Sequence, residues 1–323
     1  MSLNNVFALF LCLLFLPLQG KAFLGLTERT DQKQKISAAR NAYSNGDYEQ
    51  AIEICQDFLM QNQDAPARRK RRIYSVLGNA YAAIGDYDHA LLTYNSALEV
   101  LPKDVELNLA LANLYYKTEL YDKAIEFYNK TLNIDKNNQQ ALLGLGRAYL
   151  KIGFLSKSRQ YFKEYLSLNG PKDKNVYYEY ASVNFLSRNN NTALDYALKA
   201  KEINENNPDI YFLIAKIYNT LNAPQKAEEN INTALQLAPD REDIFLTSIL
   251  WKAYDKTTAE IALTKIKEYQ IKNPESELAL FIEYVALLQQ DKKEQAIKTL
   301  SNLKKMKGES FIKKVTKQIL KND

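Results

Sequence analysis

The sequence predicts an all-α fold, a linear stack of about eight helix hairpins closed by a C-terminal capping helix. Three observations predict it. Apolar residues recur at helical spacing along most of the chain. The same pattern returns about every 34 residues, the period range of stacked repeat units. There are 22 tyrosines against one tryptophan, which points to a repeated position where a buried ring keeps its hydroxyl within reach of a polar partner. Apolar residues at 46% and charged residues at 25% fit a folded, water-soluble chain and exclude a disordered or membrane-embedded one.

Taken from the N-terminus, Val6 to Leu18 is an apolar run broken only by Pro17, with Gly20, Lys21 and Ala22 behind it. The run is short for a bilayer span, which takes about 20 residues. It fits the hydrophobic region of an export signal, and the small-x-small pattern places cleavage after Ala22. No Lys or Arg precedes the run, and a retained anchor is the alternative. Export implies a location outside the cytoplasm, periplasmic or extracellular in a bacterium. With residues 1–22 removed and 23–31 read as a linker, Cys55 is the one remaining cysteine, so no internal disulfide is expected.

The repeat is clearest over 71–104, with Tyr74, Leu77, Gly78, Tyr81, Gly85, Tyr87, Ala90, Tyr94, Ala97 and Pro102. Leu77, Gly78 and Tyr81 share a face of a first helix, Gly85 ends it in a left-handed cap, and Ala90, Tyr94 and Ala97 line a second helix. Gly78 and Ala90 are small where the two helices are expected to cross, and Pro102 stops the second. Leu111, Ala112, Tyr115, Tyr121, Ala124 and Tyr128 repeat the pattern, as do Leu142, Leu145, Gly146, Tyr149, Gly153 and Phe162. Upstream, Asn41, Tyr43, Gly46, Tyr48, Ala51 and Phe58 give a first hairpin whose inner turn is one residue short. Tyr177, Tyr180 and Ala181 mark a fifth unit, Tyr211, Ala215 and Tyr218 a sixth. Weaker seventh and eighth units carry Tyr269 and Pro274, then Tyr284 and Ala296. The expected hairpins are 32–65, 71–104, 105–138, 139–172, 174–207, 208–241, 243–276 and 277–308. A cap over 309–323 has Phe311, Ile312, Val315 and Ile319 on one side and lysines on the other.

These residues and spacings resemble the tetratricopeptide (TPR) repeat family. The resemblance implies a right-handed superhelical solenoid whose first helices line a concave groove. It implies a protein-binding scaffold that takes an extended peptide or partner helix; a membrane-anchored tethering component of an envelope complex is the alternative. Asn recurs at one inner position, at Asn41, Asn79 and Asn113, each two residues before a tyrosine. Its amide can donate to and accept from a peptide backbone. The equivalent position then becomes Arg147, Ser182, Lys216 and Trp251, and neighbouring inward candidates are Tyr116, Lys117, Lys151, Tyr178, Phe185 and Phe212. The bland alternative is that Asn is simply the family's usual residue there. A clamp for a C-terminal carboxylate is disfavoured, because Ser75, Leu109 and Leu143 stand where its basic residues would be sought.

Catalysis is not expected. His89 is the one histidine, a single cysteine is left after cleavage, and no glycine loop cradles phosphate. No cofactor, metal or obligate small-molecule ligand is called for. From Asp291 on, ten lysines face four acids, read as a solvated face. The run Arg68, Arg69, Lys70, Arg71 and Arg72 opposes the dipole at a helix start and is unexplained by helix stability. It is read as solvated surface or a contact for an acidic partner or membrane; nucleic acid is not expected, since no nucleic-acid module accompanies it.

Overall fold

A computed structural model describes residues 28–170 and 172–307. The signal sequence expected over 1–22 and the cap expected over 309–323 lie outside the described residues. Those described hold sixteen helices and no strand. They form two compact units, divided between Lys172 and Asp173.

In the first unit, α1 (28–45) pairs with α2 (Tyr48–Gln61), and α3 (Ala67–Ala83) with α4 (Tyr87–Val100). Two more hairpins follow: α5 (Val105–Lys117) with α6 (Tyr121–Ile134), and α7 (Gln139–Lys151) with α8 (Leu155–Ser167). In the second unit, α9 (Val176–Leu186) pairs with α10 (Asn190–Ile203), and α11 (Pro208–Thr220) with α12 (Pro224–Leu237). The last two are α13 (Glu242–Tyr254) with α14 (Ala259–Lys272), and α15 (Glu277–Gln289) with α16 (Lys293–Lys307). Residues 28–31, expected to be linker, are already helical. Helix α3 starts at Ala67, a turn earlier than expected, so the whole basic run is helical.

Seven hairpins turn in the same way. One residue adopts a left-handed backbone: Gly46, Gly85, Glu119, Gly153, Arg188, Asn222 or Asp291. The amide after it donates to a carbonyl near the end of the first helix, as from Asp86 to Tyr81 and from Leu120 to Tyr115, both at 2.9 Å. This is the Schellman arrangement, which satisfies carbonyls that the helix end would orphan. Only the α13–α14 connection lacks the left-handed residue among the described hairpins. Helix starts are capped by Asp86, Asp104, Asn138, Asn207 and Ser276, whose side chains accept first-turn amides.

The turn fixes the register of each hairpin and corrects the first one. Asp47 N–H donates to the Ala42 carbonyl, so Ala42, not Tyr43, is the counterpart of Tyr81. The inner turn is not short. The counterpart of Asn79 is therefore Arg40, and Asn41 is an exposed residue one step round the helix. The sequence pattern slipped because Ala42 is small where later hairpins carry Tyr.

The core is built of alanines and single large rings. Ala90, Ala97, Ala124, Ala193, Ala197, Ala227 and Ala234 are all buried, as are Phe58, Tyr94, Tyr128 and Phe162. Gly78 is glycine because the Tyr94 ring lies where its Cβ would be; the ring, rather than a close crossing of two backbones, sets the need. Cys55 is fully buried, and desolvation pushes its thiol up to about 12. Among the described residues no helix is long and apolar enough to cross a membrane.

Candidate peptide-binding cleft

The first unit carries a cleft of about 390 Å³ between α3 and α5, which Gln140 of α7 also lines. Ser75, Asn79 and Ala82 line it from α3, and Glu106, Leu109, Ala110, Asn113 and Lys117 from α5. These are residues one helical turn apart on first helices of successive hairpins, so helix periodicity brings them to one face. Of the proposed groove residues, Asn79, Asn113 and Lys117 meet here. Arg147 is half-buried on α7, close enough for its charge to act on Tyr128. Lys151 is exposed at the end of α7. Tyr116 does not join the cleft; its ring packs on Tyr121 at 5.5 Å.

The two asparagines are already half engaged. Tyr94 Oη donates to Asn79 Oδ1 at 2.7 Å, and Tyr128 Oη donates to Asn113 Oδ1 at 2.7 Å. Both phenols are almost fully buried, and desolvation is the main cause that raises their pKa values. A buried hydroxyl without an acceptor is costly, so the asparagine carbonyl is required at this place. Where the inner position is not Asn, the opposing residue has no phenol: Arg147 stands with Phe162, and Lys216 with Ile231. The choice between a peptide ladder and a structural residue thus has a divided answer. Oxygen serves the hairpin, while each amide nitrogen has no protein partner among the described residues, on residues that line the cleft.

Lys117 holds its ammonium over the Tyr87 ring at 5.1 Å, a cation–π contact between successive hairpins. The cleft has both signs of charge, since Glu106 faces it and pairs with Arg71 at 3.3 Å. That pair, with the Arg71–Asp104 contact at 3.7 Å, gives part of the basic run a structural role. Arg69 donates to Gln32 Oε1 at 2.7 Å and ties α3 to α1. Arg68 and Arg72 are exposed, and Lys70 is half-buried.

In the second unit the remaining groove candidates are part of a polar network and its apolar margin. Lys216 lies over Phe212 at 4.3 Å; burial lowers its pKa, opposed by Asp243 and Asp209. Arg241, which the sequence reading missed, reaches Asp209 at 3.0 Å and Asp243 at 2.8 Å. Tyr178 is half-buried beside Ser182 and Asp209, and desolvation raises its phenol. Trp251 and Phe212 pack against the cluster of Tyr211, Ala215 and Ile231, and Phe185 against that of Ala181 and Ile214. The α13–α14 hairpin lacks the common turn, so Trp251 has no register partner to Asn79. Among the described residues no group of His, Cys, Asp and Glu is placed to hold a metal.

Family profiles match within this frame. A TPR repeat profile matches residues 78–119, and tetratricopeptide repeat profiles match 105–138, 143–208 and 208–241. These segments are tetratricopeptide repeats. No curated protein sequence matches the chain. Among solved structures, a tetratricopeptide repeat protein from Parabacteroides merdae shares the fold at a TM-score of 0.56 and 18% identity, covering 80% of this chain and 99% of that one. YrrB, a TPR protein with an unusual peptide-binding site, aligns at 0.53 and 18%, covering 60% and 97%. The APC/C hetero-tetramer Cut9–Hcn1 aligns at 0.54 and 17%, covering 77% of this chain and 48% of that one.

Ala82, Ala110, Glu106 and Gln140 were missed as cleft residues. The signal for Ala82 was present: aligned on the turn glycine, it is an alanine where Tyr43 and Tyr116 stand in the hairpins on either side.

Proposed function

We propose that this chain is a non-enzymatic interaction scaffold, and that the α3–α5 cleft holds an extended segment of a protein partner. The observation that carries the reading is that Asn79 and Asn113 line one cleft while Tyr94 and Tyr128 take their oxygens, so that among the described residues their amide nitrogens have no protein partner. An extended peptide presents backbone carbonyls at regular intervals, and side-chain N–H donors on consecutive hairpins suit such acceptors regardless of sequence. The fold it shares with YrrB supports the choice of a scaffold able to carry a peptide site.

The test is selection of a phage-displayed random peptide library on the full chain, followed by affinity measurement on Asn79→Asp plus Asn113→Asp. Aspartate still accepts from Tyr94 and Tyr128 but has no N–H for the ligand. Peptides that bind the native chain and lose affinity for this variant are expected. Failure to enrich any peptide, or affinity indifferent to the variant, sinks the reading. Export is proposed on the Val6–Leu18 run and the Gly20, Lys21 and Ala22 motif. N-terminal sequencing of the protein recovered from its own cells is expected to start at Phe23; an intact Met1 overturns it.

A further inference from the structure

The turn register makes the hairpins comparable position by position, and one position separates the second hairpin from the others. Three residues before the left-handed turn residue stand Tyr43, Tyr116, Leu150, Phe185, Asn219 and Leu288; in the second hairpin it is Ala82. In the first hairpin, Tyr43 packs against Tyr48 with ring centroids 5.5 Å apart and planes tilted by 55°. In the third, Tyr116 packs against Tyr121 at 5.5 Å and 64°. The second hairpin keeps the receiving ring, Tyr87, in the place of Tyr48 and Tyr121, but has no ring to set against it. Ala82 lines the cleft instead, and Lys117 from the next hairpin, which also lines it, holds its ammonium over Tyr87 at 5.1 Å.

We propose that the partner supplies the missing ring. An aromatic side chain of the bound peptide enters at Ala82, sets its edge or face against Tyr87, and meets the Lys117 ammonium. Asn79 and Asn113 hold the flanking backbone. This inference rests on the peptide-cleft reading and names its specificity residue. Three features favour a ring over an aliphatic anchor. Tilted ring pairs at this separation are already used twice in the same unit. A lysine ammonium lies within reach of a second π face. Ala82, Leu109, Ala110 and Leu114 among the residues lining the cleft offer apolar burial, as pockets that take an anchor side chain do.

The experiment uses the peptides selected on the full chain and reads fluorescence anisotropy with Ala82→Tyr and Ala82→Leu. Both replacements place in the second hairpin a residue type that other hairpins carry at this position, so the melting curve is expected to stay in place. The enriched peptides are expected to share one Phe, Tyr or Trp. Its change to Ala is expected to weaken binding about thirtyfold, the scale of an interface anchor. Each Ala82 variant is expected to weaken the native peptide by a similar factor. Peptides that depend on Asn79 and Asn113 but carry no aromatic residue, or bind Ala82→Tyr undiminished, overturn the anchor while leaving the cleft reading intact. If no peptide is enriched, both fall.

Discussion

Removing the acceptor at Asn113 isolates the part of this residue that the hairpin itself needs. Tyr128 is 2% exposed, and its hydroxyl donates to Asn113 Oδ1 at 2.7 Å. In Asn113→Ala the phenol stays buried and loses its acceptor, at a cost of about 1–3 kcal/mol. Alanine returns roughly 0.5 kcal/mol through its higher helix propensity, so the net loss is expected near 1–2 kcal/mol. Tyr128→Phe removes the donor instead and leaves an exposed amide that water satisfies, for about 0.5–1.5 kcal/mol. The double variant orphans nothing and resembles the arrangement already present at Arg147 and Phe162. A urea-unfolding cycle followed by far-UV circular dichroism is therefore expected to show a favourable coupling of about 1 kcal/mol or more. Additive losses, or an Asn113→Ala chain as stable as the native one, would refute the claim that the carbonyl is structural.

Arg188 holds a left-handed backbone at φ 62°, a conformation that strains any residue with a Cβ. Arg188→Gly is expected to raise the unfolding free energy by up to about 1 kcal/mol after the added unfolded-state entropy of glycine, and the urea midpoint with it; a lowered midpoint would show that the Arg side chain matters more than the turn. Asp86 accepts from the His89 backbone and ring, which holds its carboxyl below the usual carboxylate range. A depressed folded value means that this contribution is complete above roughly pH 4 and is lost as pH falls through the depressed value. Asp86→Asn keeps a capping oxygen but is expected to flatten that acid limb in melting curves taken across the range; an unchanged acid limb counts against the assignment. Cys55, with its thiol pushed up to about 12 by burial, is expected to stay inert to a disulfide reagent in native buffer and to react on unfolding in urea. Prompt reaction of the native chain would contradict the packing around it.

The all-helical architecture was legible, because a helix hairpin writes its own period. The buried alanines and rings recur at fixed distances from the turn, and Gly85 and Gly153 mark where the first helix must end. Legibility failed where a marker residue was replaced by one with a different side chain and the same backbone. Glu119, Arg188, Asn222 and Asp291 do the work of the turn glycine without looking like it. Ala42 in the place of a tyrosine moved the first hairpin by one residue, and with it the assignment of Asn41. The basic run looked unexplained because the partners of Arg69 and Arg71 lie on other helices, at Gln32, Asp104 and Glu106.

The candidate site divides in the same way. The sequence by itself determined that Asn79, Asn113 and Lys117 fall on a common face of successive first helices, since spacing alone sets which face a helical residue occupies. Only the tertiary structure decided which atoms of those residues are available. The opposing Tyr94 and Tyr128 take the asparagine oxygens and leave the nitrogens, and Ala82 lines the cleft at the position where Tyr43 and Tyr116 set rings in their own hairpins. Periodicity fixes direction, but a hydrogen bond or a missing ring depends on two helices at once, and that pairing is settled only when they pack.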